Sequence, residues 1–455
     1  MVPVKKNEVY ELKIESVTSE GMGVGHIDGF CVFVAGTVDG DVVRALVLKV
    51  NRGFAYAKVC EFVEKSKYRQ IPVCPNASKC GGCQMMHISY EKQLEIKKNI
   101  IENALKRIGK IDVPVCEMIG SENVLRYRNK MIFPVGIDKN YNKICGFYRE
   151  RSHNIIALDD CYLGNEINSK IIKTVMDFIN KYKITVYDEK THKGIIRRIF
   201  TRVAYHTNEI MVVISINAKT LPHFSELANE LASVSENVKS VILNFNTKKT
   251  NAVLGEQNAV IFGKESIEDC LCGLKYEISP NSFYQVNPVQ TQKLYNKALE
   301  YAEIGKNDVV MDLYCGIGTI SLCAAKMAKK VVGVEIVEQA ILDARKNAER
   351  NSVNNVTFYA SDAAKIVPKL IDDGERPDVV ILDPPRKGSD EVTLLAIVSA
   401  KPERIVYVSC NPATLARDLK FLEENGYKTR KVCGVDMFSQ TMHVETIVLL
   451  QNRNM

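Results

Sequence analysis

The sequence predicts an α/β protein of three parts: an N-terminal β-barrel, an α+β middle domain and a C-terminal doubly wound parallel sheet. The chain has 455 residues, more than one ordinary domain needs. Short β-rich runs with glycine-containing turns fill roughly the first sixty residues, which is typical of a small barrel. From about residue 300 apolar strands alternate with helical segments, which indicates a parallel sheet covered by helices.

Composition indicates a globular protein of a reducing compartment. Apolar residues make up 46% of the chain. No secretory signal and no apolar run long enough to span a bilayer are evident, so we expect a cytoplasmic protein without a membrane partner. In that compartment the 14 cysteines are core residues, metal ligands or nucleophiles rather than disulfides. The net charge of +7 is compatible with a polyanionic partner but does not prove one, and no obligate protein partner is evident.

The elements follow from local patterns. We interpret four β-rich runs as strands, at residues 9–17, 29–36, 41–50 and 54–63, with GMGVGHIDG, TVDG and NRG as turns. Apolar residues at helical spacing and the stop at Gly109 predict a helix over 90–109. Further along, NEIMVVISIN predicts a strand, and a helix is expected near residues 168–182. We expect three domains: residues 1–65 as the barrel, 66–89 and 121–272 as the middle domain, and 90–120 and 273–455 as the third.

A cofactor turn is predicted in NDVVMDLYCGIGTISLCAAKMAKKVVGVEI. Gly316 and Gly318 let the backbone approach a ligand at a helix N-terminus. Glu335 ends the next strand, at the distance where a carboxylate binds ribose hydroxyls. A dinucleotide site would have a third glycine where Ser321 stands, and Asp312 precedes the turn, so the pattern favours S-adenosylmethionine over NAD. The alternative is a glycine turn in an ordinary α/β protein.

More polar residues stand at strand ends, where ligands bind in open α/β sheets. Asp362 follows VTFYAS and is expected to contact the adenine, unless it only caps a helix. Asp383 and Cys410 each follow an apolar strand. Glu445 lies in the apolar run MHVETIVLL with His443 on the same face, and a carboxylate there is costly unless it is paired or catalytic. Taken singly, a buried structural cysteine and a solvated acid on an edge strand are the simpler interpretations.

Together these residues predict methylation of a pyrimidine carbon. An aromatic after Asp-Pro-Pro would suggest amino-group methylation, but Arg386 follows instead. Addition of Cys410 to C6 of a pyrimidine makes C5 nucleophilic, C5 takes the methyl group, and a base removes the C5 proton so that the thiolate leaves. We expect Glu445 to be that base. Since few thiols are ionised near pH 7, the site must help Cys410 to ionise.

The motifs SFYQVNP, DLYCGIGT, VVGVEI, LDPPRKG, YVSCNPATLARDL and HVET follow in this order. In this, essentially the whole chain resembles the RNA uracil-5-methyltransferase family, most closely its 23S ribosomal RNA enzymes. The resemblance implies a Rossmann-like S-adenosylmethionine-dependent domain and an OB-like TRAM barrel that binds RNA. It also implies Cys410 as nucleophile, Glu445 as proton acceptor, a role for Asp383 in orienting the uracil, and a set of cofactor residues: Gln285, Tyr314, Glu335 and Asp383. Ser439 and Gln440 stand where the family pattern has proline and histidine.

Four cysteines form a separate candidate metal site: Cys74, Cys80, Cys83 and Cys161. From the C-x5-C-x2-C spacing with a distant fourth cysteine, zinc and an iron–sulfur cluster are about equally favoured. The family resemblance implies [4Fe–4S]. Unrelated buried cysteines are a poor explanation for the clustered three and a fair one for Cys161 alone.

Basic residues alternate with aromatic ones in RYRNKMIF, FYRERSH and GIIRRIFTR, which suits single-stranded RNA. The predicted chemistry requires the uracil of a loop in 23S rRNA to flip out of its stack. Three alternatives stand beside a 23S rRNA enzyme. A transfer-RNA uracil-5 enzyme lacks barrel and cluster by family expectation, a 5-methylcytosine enzyme has a Pro-Cys motif, and a non-catalytic RNA-binding iron–sulfur protein loses a catalytic group.

Overall fold

The computed structural model describes residues 2–150 and 152–453. Its N-terminal part is a closed barrel with the strand order β1-β2-β3-β5-β4. The five strands are β1 Val9–Val17, β2 Met22–Ile27, β3 Phe30–Ala35, β4 Val42–Val50 and β5 Phe54–Glu64. The predicted barrel is confirmed, but the stretch GMGVGHIDG contains strand β2 and is not only a turn. A Cβ atom on Gly25 would lie 2.5 Å from the carbonyl oxygen of Lys13, so glycine is what lets β2 approach β1.

The predicted helix over 90–109 is confirmed, with a change of winding near its end. It comprises α1 Tyr90–Ala104 and a π-helical turn over Leu105–Gly109. The chain leaves this turn at Lys110, in the left-handed conformation with φ of 58°. Strand β6 Glu117–Ile119 follows and joins the C-terminal sheet beside its last-but-one strand.

The middle of the chain forms a seven-stranded sheet and two helices. The elements are β7 Lys130–Ile137, β8 Lys143–Tyr148, β9 Ile155–Ala157, α2 Ile167–Lys181, β10 Ile196–Val203, β11 Ile210–Ile216, α3 Phe224–Ala232, β12 Val238–Phe245 and β13 Gln257–Gly263. The strand order is β13-β12-β11-β10-β7-β8-β9. One face packs on α2 and α3 around Phe133 and Ile199. The other face, with Phe200 and Met211, packs against the C-terminal part of the chain.

A hairpin and a helix connect the middle sheet to the C-terminal sheet. The hairpin consists of β14 Ile267–Leu271 and β15 Leu274–Ile278, and the helix is α4 Pro288–Ala302. The expected domain boundary after residue 272 therefore falls inside the hairpin. Leu271 and Tyr276 share one hydrophobic core with Leu294 of α4.

The C-terminal part is an eight-stranded sheet covered by helices. Its elements are β16 Val309–Leu313, α5 Thr319–Ala325, β17 Lys330–Glu335, α6 Glu338–Arg350, β18 Val356–Ala360, α7 Ala363–Asp372, β19 Val379–Leu382, α8 Glu391–Ala400, β20 Arg404–Ser409, α9 Pro412–Glu424, β21 Tyr427–Val435 and β22 Glu445–Asn452. The strand order is β18-β17-β16-β19-β20-β22-β21-β6. The first five strands are parallel, whereas β22 runs antiparallel to both of its neighbours.

Burial on both faces explains why these strands read as continuous apolar runs. Adjacent residues of β16, Val310 and Met311, enter two different hydrophobic cores on opposite sides of the sheet. The predicted doubly wound sheet is thus confirmed, with one antiparallel strand, β22, inserted between β20 and β21. Among the described residues, no helix is both long and apolar enough to cross a membrane.

Candidate active site

The glycine turn after β16 is built for close approach of a ligand. Tyr314, Gly316 and Gly318 all adopt positive φ, of 66°, 55° and 80°. The N–H of Gly316 donates to Oε2 of Glu335 over 3.3 Å. A Cβ atom on Gly318 would lie 2.8 Å from the ring of Phe358, so that position has no room for a side chain. The turn therefore brings the predicted Gly316 and Glu335 together at the carboxyl edge of the sheet.

Glu335 and Asp312 lie on different sides of this turn and differ in burial. Glu335 is partly exposed, and its Oε1 accepts a hydrogen bond from the N–H of Val337 over 2.9 Å. Asp312 is fully buried behind the turn and accepts a hydrogen bond from the hydroxyl of Ser321. Burial raises the pKa of Asp312 to about 7. Ser321, which stands where a dinucleotide site would have glycine, thus supports the carboxyl group beneath the turn.

Of the other predicted cofactor residues, Tyr314 and Asp362 lie at the same edge, after β16 and β18. The hydroxyl of Tyr314 hydrogen-bonds that of Ser389 over 2.9 Å. Asp362 does cap a helix: its Oδ1 accepts from the N–H of Ala364, at the start of α7, over 2.9 Å. Gln285 lies in the segment before α4, where its carbonyl oxygen accepts from Nδ2 of Asn129 over 3.0 Å.

The strand register brings Cys410 and Glu445 to the same place. Ser409 of β20 pairs with Thr446 of the antiparallel strand β22. The next residue along β20 is Cys410 and the preceding residue along β22 is Glu445, so the two lie opposite each other at the carboxyl edge. Glu445 is the first residue of its strand rather than an interior one, and His443 lies two residues before the strand begins.

Two carboxyl groups share this site. Burial, followed by the charge of Asp383, raises the pKa of Glu445 to about 8, while Arg386 opposes the increase. Burial raises the pKa of Asp383 to about 7. Two nearby carboxylates in a poorly hydrated site resist simultaneous ionisation, so protons are held here close to neutral pH. Such a pair can accept and release a proton during catalysis.

Arg386 is the cation of the site, and the sequence analysis assigned it no role. Burial and the charges of Glu445 and Asp383 raise the pKa of Cys410 to about 11, whereas Arg386 acts to lower it. The carbonyl oxygen of Arg386 accepts from Nδ2 of Asn411 over 3.0 Å, which fixes the residue next to the nucleophile strand. The only signal in the sequence was its position directly after a strand-end Asp-Pro-Pro.

His443 is a neutral member of the group. Loss of hydration and the positive charge of Arg386 lower the pKa of His443 to about 4. Its Nε2 lies 3.3 Å from Nη2 of Arg386, so the unprotonated ring nitrogen accepts the hydrogen bond. A neutral imidazole thus orients the guanidinium beside Cys410.

The four predicted metal-ligand cysteines line one cavity of about 270 Å³, together with Arg128 and Lys130: they are Cys74, Cys80, Cys83 and Cys161. Burial and the neighbouring thiols raise the pKa of Cys83, and Arg128 opposes this. Within the described ranges, no three side chains of His, Cys, Asp or Glu are grouped so that they could hold a metal ion. The thiols therefore surround a shared space rather than converge on one point.

The segment GIIRRIFTR does not offer its arginines to solvent, so its interpretation as an RNA surface is wrong for them. Arg197, Arg198 and Arg202 are buried, and they donate to carbonyl oxygens of the chain itself. They belong to β10, whose neighbours cover both faces. In FYRERSH, Arg151 lies outside the described residues. Tyr148 and Arg149 from that segment line a cavity of about 550 Å³ beside Gly82.

Known proteins resemble this chain over its whole length. A family model described as tRNA (uracil-5-)-methyltransferase matches residues 89–453, and a TRAM domain model matches residues 3–60. An RNA methyltransferase of Clostridium tetani is 49% identical, covering 99% of this chain and 97% of the relative. One of Caldanaerobacter subterraneus is 47% identical, covering 99% of this chain and 100% of the relative.

A solved structure shares the fold. The tRNA (uracil-54, C5)-methyltransferase of Pyrococcus abyssi, in complex with S-adenosyl-L-homocysteine, superposes with a TM-score of 0.77 at 29% identity. The match covers 97% of this chain and 100% of the other. The family model, the relatives and the solved structure agree. This chain belongs to the tRNA (uracil-5-)-methyltransferase family and carries an N-terminal TRAM domain.

Proposed function

We propose that this protein is an S-adenosylmethionine-dependent RNA methyltransferase that converts a uridine of 23S ribosomal RNA to 5-methyluridine. The observation that carries the proposal is the placement of Cys410 opposite Glu445, at the sheet edge that also bears the glycine turn. A thiol, a carboxyl group of raised pKa and a nucleoside-binding turn are together what C5 methylation requires.

The cofactor residues hold a donor of an electrophilic methyl group. S-adenosylmethionine, when bound, supplies that group as a sulfonium. The carboxylate of Glu335 is suited to the ribose hydroxyls and the turn at Gly316 to close backbone contact, while Gln285, Tyr314 and Asp362 line the rest of the edge. The fully buried Asp312 supports the turn from behind.

The chain's own groups then act on the uracil in sequence. Arg386 favours the thiolate of Cys410, whose sulfur adds to C6 and leaves electron density on C5. After C5 has been methylated, Glu445 removes the proton from C5, the C5–C6 double bond re-forms and the C6–S bond breaks. The thiolate leaves, and the proton remains on Glu445, whose raised pKa suits it to hold one. Asp383 is assigned a hydrogen bond to the uracil ring, as the family resemblance implies.

A transfer-RNA substrate is the second candidate. The family description and the Pyrococcus abyssi structure both name tRNA. Because that match extends over 97% of this chain, the barrel does not separate the two substrates. The four-cysteine cavity favours ribosomal RNA, since the resemblance associates the cysteine set with 23S rRNA enzymes.

Mapping of 5-methyluridine in ribosomal and transfer RNA, from cells with and without this protein, tests the proposal. We expect one or more 23S positions to lose the methyl group, and the purified chain to restore it from labelled S-adenosylmethionine. Loss at a tRNA position alone would favour the second candidate. Unchanged RNA, together with no labelled transfer in vitro, would indicate a non-catalytic RNA-binding protein.

We also propose that the cysteine cavity binds a [4Fe–4S] cluster. The family resemblance favours a cluster over zinc. The four thiols line one cavity, and Arg128 and Lys130 in the same lining offset the negative charge of bound thiolates. Iron and acid-labile sulfide should be found in anaerobically purified protein and be lost in Cys83→Ser. Zinc without sulfide would refute the cluster.

The RNA is proposed to cross the hollow beside the cysteine segment. Tyr148 and His153 present rings whose centroids are 5.5 Å apart, and both are held by Glu189. Arg149 and Gly82 line the same hollow. A half-buried tyrosine ring and an exposed histidine ring next to a cation are suited to stacking unpaired bases. The mechanism requires such unstacking of the target uridine.

A further inference from the structure

The loop that carries the proposed base is tied to the cysteine cavity. Strand β21 ends at Val435 and β22 begins at Glu445, and residues 436–444 between them are called the base loop below. The base loop has its first anchor on α1: Nζ of Lys97 lies 2.6 Å from Oδ1 of Asp436, and both side chains are fully buried. A second anchor comes from the walls of the cavity.

The segment that carries Cys83 forms the first wall of the cavity and contacts the base loop, partly through Gln93. The N–H of Met85, two residues after Cys83, donates to the carbonyl oxygen of Gln440 over 3.0 Å. Nε2 of Gln93 donates to the carbonyl oxygen of Met85 over 3.1 Å and to Oε1 of Gln440 over 3.0 Å. The N–H of Gln440 in turn donates to Oε1 of Gln93 over 3.1 Å. One amide side chain thus joins the cysteine segment and the base loop.

The segment that carries Cys161 forms the second wall of the cavity and is linked to the base loop through Arg126 and Tyr127. Nη1 of Arg126 donates to the carbonyl oxygen of Cys161 over 2.9 Å. The hydroxyl of the next residue, Tyr127, donates to the carbonyl oxygen of Ser439 over 3.0 Å. Ser439 and Gln440 are the two departures from the family pattern. They are therefore the residues that accept the hydrogen bonds from the two walls.

These contacts are costly to lose. Gln93 is 0% and Gln440 3% exposed, and a buried amide without a partner pays its full loss of hydration. Gln440 also adopts φ of 71°, a left-handed conformation that is uncommon for a non-glycine residue. Such a conformation persists only where surrounding contacts hold it. The base loop therefore depends on the cysteine segment for its shape.

We propose that Gln93 and Gln440 are positioning residues through which the state of the cysteine cavity sets the placement of Glu445. The role of Glu445 rests on the proposed function, whereas the coupling itself does not. An ordered cavity holds residues 83–85, these hold Gln440, and the base loop delivers Glu445 opposite Cys410. A disrupted cavity leaves the base loop with its contacts to α1 and to the start of α4, where Nδ2 of Asn287 donates to the carbonyl oxygen of Met437 and Nε2 of Gln290 to that of Asp436.

Hydrogen exchange of the base loop, measured without RNA or cofactor, tests the coupling in Cys83→Ser, Gln93→Leu and the double variant. We expect Gln93→Leu to raise amide exchange over 436–444 about tenfold, Cys83→Ser to raise it at least as much, and the double variant to match Cys83→Ser, because the path through Gln93 is one of the two that the cavity supports. Gln70→Leu is the matched control, since Nε2 of Gln70 donates to the carbonyl oxygen of Met86 in the same segment. It should leave the base loop unchanged.

Kinetics separate positioning from general destabilisation. Gln93→Leu should lower kcat about tenfold with KM for RNA within about twofold, since Gln93 is fully buried and acts through Gln440. Where Cys83→Ser does not fold, iron removal from the wild-type chain by a chelator replaces it. Unchanged exchange after disruption of the cavity, or multiplying effects in the double variant, would overturn the coupling. If the exchange measurements show the coupling but the protein transfers no methyl group, only the proposed function is contradicted.

Discussion

At the scale of single residues, the active site contains one cation, Arg386, and three acidic groups whose pKa values are raised. Cys410, Glu445 and Asp383 each have a raised pKa, mainly through burial, and Arg386 opposes the shift at the first two. All three groups therefore hold their protons to higher pH than exposed groups of the same kind would. Catalysis has to remove protons from the nucleophile and the base, and pH and Arg386 both influence that step.

Cys410→Ala should abolish methyl transfer, by more than about a thousandfold, because no other group can add to C6. Binding of S-adenosylhomocysteine should stay within about twofold, since Cys410 belongs to the uracil side of the edge. Labelled-methyl transfer and calorimetry measure the two quantities. Cys60→Ala, at an exposed cysteine of the barrel, is the control and should behave as wild type.

Arg386→Gln should slow alkylation of Cys410 at fixed pH. Removal of a positive charge that lowers the thiol pKa raises that pKa further, so less thiolate is present at any given pH. Iodoacetamide labelling followed by peptide mass spectrometry isolates Cys410 from the other thiols. Lys387→Gln is the neighbouring control. Equal labelling rates in both variants would show that Arg386 does not activate the thiol.

The pH profile of kcat/KM should rise through neutral pH. The thiol of Cys410, with pKa of about 11, must lose its proton before the irreversible methyl transfer, so log kcat/KM should rise with a slope of about one. Glu445 acts only after methyl transfer, so its pKa of about 8 should appear instead in the rate of adduct breakdown, which rises with pH until Glu445 is ionised. A profile that is flat or falls between pH 6 and 9 is incompatible with these assignments.

At the scale of elements, the turn between β16 and α5 joins backbone conformation to cofactor binding. Gly318→Ala should destabilise the fold by about 1–3 kcal/mol and weaken S-adenosylhomocysteine about tenfold. The added Cβ meets both a φ of 80° and the Phe358 ring at 2.8 Å. Gly374→Ala is the control: it imposes a φ of 96° with nothing within 4 Å, so it has the strain without the clash. Equal cofactor affinity in the two variants would exclude the proposed contact.

Local patterns predicted the elements that depend on neighbouring residues. The apolar run Val309–Leu313 and the glycines after it predicted strand and turn correctly, since both follow from local propensity and burial on two faces. Cys410 and Glu445 were expected to act on the same uracil, but the strand register that sets them opposite each other was not predicted, because the antiparallel insertion of β22 between β20 and β21 depends on distant contacts. Strand β2 was missed because its glycines serve close strand packing rather than a turn.

The sequence also did not predict which charged side chains are buried. Arg197 and Arg202 looked like RNA contacts because basic residues are usually exposed. The structure satisfies them with carbonyl oxygens inside the protein, a solution that depends on the loop after β12 for Arg197 and the segment before α4 for Arg202. Arg386 was noticed only as the residue that excludes an aromatic, since its charge acts through space on residues far along the chain.

At the scale of the whole molecule, the cysteine segment, the middle sheet and the catalytic edge meet on one side. Arg149→Gln should weaken RNA binding for all sequences alike and should reduce the salt slope of log K by about one. Lys173→Gln on α2 is the control, because Lys173 is exposed and paired with Asp177. Filter binding at several salt concentrations measures the slopes. An unchanged slope would make Arg149 an ordinary surface residue.

The most direct test of the central claim is to trap the covalent adduct. Glu445→Gln, incubated with 23S rRNA and S-adenosylmethionine, should accumulate a protein–RNA species, because addition and methylation proceed while proton removal fails. Peptide mass spectrometry should then find a methylated uridine attached to Cys410. Free turnover by the variant, or an adduct on any other residue, would contradict the account.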